Sequence, residues 1–219
     1  MSLRLLFLDE LMGYAKSKVM IVLWFGLPLL SFIIHFIQPD TEGLPISFLV
    51  GLVVSSIGGT LSSVMLSTSI VSEKNQHVYE LFLIRPVKRS SLLLAKFFSV
   101  FLCLIVAIII SLIVGMIIDI FTVGLTEYFL NETFESLIVS ISAMAITCSI
   151  GIFIGVLVSS IPVAAILSVY LGGQLSSIIL LPTIFIESLN PVILALTLGV
   201  SLTTIIMGLN IFLFGRQQF

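Results

Sequence analysis

The side chains able to do covalent chemistry are few and scattered along this 219-residue chain. His35 stands near the outer end of an apolar run and His77 in a polar stretch, neither with a catalytic partner. No HExxH, GxSxG or paired carboxylate occurs within an apolar run, which argues against an intramembrane hydrolase. No GxxxxGK[ST] is present, so ATP is not bound here through the usual phosphate loop. Cys103 and Cys148 fall inside apolar runs and read as packing residues, and no Cys or His cluster has metal spacing. What remains is charge. Five of the nine Lys and Arg residues (Lys74, Arg85, Lys88, Arg89, Lys96) lie between Ser72 and Lys96, interleaved with Glu73 and Glu80. A stretch of that kind does recognition, pairing its charges with those of another surface, and not bond-making.

The stretch is the one long polar interruption in an otherwise apolar chain, SEKNQHVYELFLIRPVKRSSLLLAK. Basic residues beside membrane helices stay on the cytoplasmic side, so it is expected to face the cytosol. Val78, Leu81, Phe82 and Arg85 recur at helical spacing, and Glu73 and Glu80 lie about two turns apart, so a short helix would carry an apolar stripe beside an acidic one. Pro86 ends it, because the residue before a proline is pushed out of the α region. Ser90 or Ser91 then suits the start of the next helix.

The surrounding chain is 59% hydrophobic and 9% charged, with mean hydropathy +1.31, more apolar surface than a soluble domain can cover. The runs are long enough for helices to cross a bilayer. The expected architecture is an all-α integral membrane protein forming one domain over 1–219. An interfacial helix over 1–18 places Phe7, Leu8, Leu11, Met12 and Ala15 on one face and Asp9, Glu10, Gly13, Lys16 and Ser17 on the other. It is not read as a signal peptide, because no small-residue cleavage site follows. Six spans are expected at 19–37, 44–71, 92–118, 136–158, 162–181 and 192–214, with a cytosolic loop and short coupling helix over 72–91. All basic residues fall at the two ends or in the central stretch, and the segments 38–43, 119–135 and 182–191 are acidic. Both termini are therefore placed in the cytoplasm, in the cytoplasmic membrane.

Small residues mark the helix contacts. Ser55, Gly59, Ser63 and Ser67 repeat at i+4 in the second span, and Ala143, Thr147, Gly151, Gly155 and Ser159 in the fourth. Such rows let backbones approach, and hydroxyls can also line a wet path, so the first row is assigned to a substrate pathway or a dimer interface. Tyr170, Gln174 and Ser177 share a face of the fifth span and receive the same assignment. Gln174 is taken as the one strongly polar side chain deep in any span, needing a partner in protein, substrate or water. The bilayer cores are read as free of ionisable groups, so a transport protein of this kind is passive or borrows its energy.

The central stretch resembles the cytosolic loop of the permease subunits of ABC-2 type transporters. That loop runs Glu-Arg/Lys, a short gap, Gly-Thr, a hydrophobe, Glu, further hydrophobes, Pro and a basic turn. Glu73, Lys74, Glu80, Leu81, Pro86 and Arg89 match it, and His77 and Val78 stand where the family has Gly-Thr. The entry helix, six spans, Asn190-Pro191 before the last span and the basic tail extend the resemblance over the chain. It implies a non-enzymatic permease with no cofactor of its own, usually an exporter. Its partners would be a second permease copy, membrane lipid and separate ATPase subunits carrying ATP and Mg, with no role for nucleic acid. Glu73, Lys74, His77, Val78, Glu80, Leu81, Phe82, Arg85 and Pro86 would couple it to the ATPase. A haem-exporter-like permease of cytochrome maturation has similar length and loop. A non-transporting immunity or sensor module could use the same loop to hold an ATPase. An uncharged, hydroxyl-rich interior does not specify the substrate.

Overall fold

The computed structural model of the protein describes residues 3–37, 46–76, 89–122, 127–185 and 190–216. Among the described residues the chain is all helical: α1 Leu3–Ala15, α2 Lys18–Ile37, α3 Ile46–Asn75, α4 Arg89–Thr122, α5 Glu127–Leu157, α6 Ile161–Phe185 and α7 Pro191–Arg216, with no strand. Counted over the described residues, five of them, α2, α3, α4, α5 and α7, contain stretches long and apolar enough to cross a membrane, the make-up of a multi-pass membrane protein.

Helix ends outrun the apolar runs that announce them. Helical structure continues to Asn75 beyond the expected end at 71, and α5 begins at Glu127 instead of 136. The segment 119–135, expected as a loop, is helical apart from 123–126, which lie outside the described residues. Hydropathy marks where a helix is apolar, whereas backbone hydrogen bonding carries the helix on through polar turns.

Contact between α3 and α5 is the most extensive in the bundle, and α6 packs beside it on α3. A Cβ at Gly151 would sit 2.6 Å from the Ser63 carbonyl oxygen, so only glycine permits that backbone approach. Ser140 donates to the Gly51 carbonyl at 2.9 Å, and the hydroxyls of Ser168 and Ser67 bond at 2.7 Å to tie α6 to α3. On the opposite side, Trp24 Nε1 donates to the Cys103 carbonyl at 3.2 Å and Ser111 Oγ to that of Leu27 at 3.1 Å, joining α2 to α4. The Ser111 bond meets the chain at the residue before Pro28, which interrupts the ladder of α2.

The entry helix is less cleanly two-faced than its sequence suggests. Leu6 and Tyr14 are buried and Glu10 lies between them at i+4, whereas Leu5, Leu8 and Met12 face outward. The inward side of α1 is thus a mixed stripe laid on α4, where Ser99 Oγ donates to the Phe7 carbonyl at 3.2 Å. No Cα of α1 comes within 8 Å of one in α3 among the described residues. Only side chains close that gap.

Candidate functional site

Those side chains form a polar cluster at the foot of the bundle. Lys96, two turns into α4, is 2% exposed, and its Nζ donates to Glu10 Oε1 at 2.8 Å and to Glu73 Oε1 at 2.6 Å. Ser69 donates to the same Glu73 oxygen at 3.1 Å, and its hydroxyl meets the Tyr14 hydroxyl at 3.1 Å. The Tyr14 ring lies under the ammonium, 5.6 Å from Nζ to centroid, adding the attraction of a π face for a cation. One lysine thereby joins α1, α3 and α4.

The geometry follows from helix periodicity. Ser69 and Glu73 are i, i+4 on α3, as Glu10 and Tyr14 are on α1, so each helix presents a carboxylate and a hydroxyl one turn apart. A buried ammonium is costly to desolvate and persists where strong hydrogen bonds surround it. Glu10 and Glu73 keep about a quarter of their side-chain surface, 26% and 24%. Burial pushes the Glu10 carboxyl above its ordinary value, against the pull of Lys96, and burial likewise raises the Tyr14 phenol.

The next residue works on a different helix. Lys74 Nζ donates to the Val156 carbonyl at 2.9 Å, and Asn75 Nδ2 to that of Ser159 at 3.3 Å. These are carbonyls at and just past the end of α5, where a cation complements the helix dipole. Glu73 and Lys74 therefore anchor the root of the central stretch to α1, α4 and the α5–α6 link, in contacts internal to the chain. The remaining residues assigned to ATPase coupling, His77, Val78, Glu80, Leu81, Phe82, Arg85 and Pro86, lie outside the described residues, as do most of 72–91.

The second group of candidates separates. Ser55, Gly59, Ser63 and Ser67 are interior, and α5 fills the space before them: Gly59 faces Thr147, and Gly155 lies against Ser67 and Ile70. Tyr170 and Gln174 are exposed on α6 and do not meet that row. The side chain of Ser177 lies outside the described residues. Two expectations need correction. The buried amide is Asn210 of α7, fully inaccessible, whose Nδ2 donates to the Ser149 carbonyl at 2.9 Å; Asn, like Gln, in an apolar run was the signal for it. The third expected span also holds an ionisable group, Lys96, tolerable near its end because two carboxylates reach it.

Beside the cluster an open cleft of about 730 Å³ separates α1 from α3. Asp9, Glu10, Gly13, Tyr14 and Ser17 line one side and Met65, Thr68, Ser69 and Ser72 the other, with Val19 and Ile161 also in its wall. Compared with known proteins, the chain matches no family model and no curated protein.

Proposed function

We propose that the chain is the membrane-spanning permease subunit of an ATP-driven exporter of the ABC-2 type. On this reading it has six spans, cytosolic termini and a coupling helix within 72–91, and it works with separate ATPase subunits and a second permease copy. The observation that carries the proposal is the anchorage of the central stretch. Its first residues, Glu73 and Lys74, are tied to α1, α4 and the end of α5, so force applied to the stretch reaches four helices at once. An ornamental surface loop has no need of such a root. The outward apolar residues Leu5, Leu8 and Met12 suit α1 to the membrane surface. Gln174, exposed on an otherwise apolar face, supports a second copy there, because a polar amide facing lipid lacks partners.

Glu80→Arg tests the proposal in the chain co-expressed with a separate ABC-type ATPase subunit. Reversal of a charge paired in a protein groove costs roughly 2 to 5 kcal/mol. Co-purification of the ATPase should fall, or its substrate-stimulated hydrolysis should uncouple, at unchanged membrane abundance. An unaltered complex with coupled turnover removes the coupling role. A complex whose hydrolysis no substrate stimulates, even with the native sequence, identifies an anchor in place of a transporter.

A further inference from the structure

The cleft between α1 and α3 is built for more than separating two helices. Its volume lies within the range of small-ligand sites, and its walls differ in kind. Asp9 and Glu10 bring carboxylates; Tyr14, Ser17, Thr68, Ser69 and Ser72 bring hydroxyls; Val19, Met65 and Ile161 bring an apolar edge. Of the two carboxylates in its walls, Glu10 is already paired with Lys96, whereas Asp9 makes no ion pair among the described residues.

We propose that this cleft binds a primary ammonium group, carried by the ethanolamine headgroup of a phospholipid or by a free amine. Carboxylate and hydroxyl oxygens accept hydrogen bonds, and a primary ammonium supplies three N–H donors to meet them. A quaternary choline nitrogen has none. The apolar edge suits the glycerol and upper acyl region of a lipid. The lipid arm rests on the proposed placement of α1 at the membrane surface; neither arm depends on transport or on an ATPase.

The test is native mass spectrometry of the full chain after exchange into equal parts of phosphatidylethanolamine, phosphatidylcholine and phosphatidylglycerol. Retained ethanolamine lipid should exceed each of the others by about tenfold, the effect of one charge-assisted hydrogen bond. Asp9→Asn and Glu10→Gln should each reduce that preference. Asp9→Asn is the decisive variant, because Asp9 makes no bond to Lys96 and its exchange leaves the ion pairs in place. Free ethanolamine is added in a second arm. Displacement of the lipid at millimolar concentration assigns the ammonium site to soluble amines as well, and undisturbed retention assigns it to lipid. Equal retention of all three lipids together with no thermal shift from free ethanolamine, or a preference untouched by Asp9→Asn, overturns the proposal. A chain that retains ethanolamine lipid yet recruits no ATPase would sink the exporter reading alone.

Discussion

Lys96 is the residue on which the cluster turns. Lys96→Met leaves Glu10 and Glu73 facing each other without a cation, and breaking a buried pair from one side costs about 3 kcal/mol. Thermal unfolding in nanodiscs should show a loss on the order of 5 to 10 °C. Adding Glu10→Gln and Glu73→Gln to that variant should recover most of it, because no uncompensated charge then remains. A triple variant no more stable than Lys96→Met would mean that packing of the lysine stem, and not charge, governs the site. The raised Glu10 carboxyl also fixes the sign of a pH effect. The folded chain holds that proton more readily than the unfolded one, so this group favours folding below the ordinary carboxylate range and that contribution is lost as pH rises toward the folded value. Glu10→Gln should flatten the stability profile on that mildly acidic flank, measured by the same thermal scans from pH 4 to 7. Little of this cluster was legible beforehand. Glu10, Glu73 and Lys96 each stood out as charges, but their meeting depends on how three helices pack, and no spacing in the chain announces it.

Among the helices, α3 and α5 are joined by absent side chains. Gly151→Val would push a branched side chain into the Ser63 backbone, and overpacking of this sort costs about 1 to 3 kcal/mol. The expected result is reduced folded yield with the remaining protein melting early; Gly13→Val, with open space before it, should leave both unchanged. Equal behaviour of the two variants would discard the close-approach account. This level was the most legible. The i+4 row through Thr147, Gly151 and Gly155 identified an interface from spacing alone, its last member Ser159 falling past the end of α5 and exposed, and apolar runs located the long helices to within a few residues at most ends. The start of α5 at Glu127 was missed because its first turns are polar, and the inward stripe of α1 was misjudged because Glu10 and Tyr14 are turned inward by polar partners and not by hydrophobicity.

At the scale of the molecule, the segregation of basic from acidic segments yields a topology that labelling can check. Cysteines introduced for Thr41 and Gln76 should react with an impermeant thiol reagent from opposite sides of the membrane. The native Cys103 and Cys148 are buried, which keeps the background low, and replacing both removes it. Reaction of both engineered sites from one side would refute the six-span arrangement. The gap between α1 and α3 carries a different consequence. Because α3 and α5 meet backbone to backbone, they must travel as one rod, whereas α1 is held to α3 by tethers that can lengthen without tearing a packed surface. The α1–α3 separation is therefore expected to change more readily than the α3–α5 separation. Fluorophore pairs spanning α3 and α5 should keep a constant separation when the bundle changes shape, and a pair spanning α1 and α3 should report the change.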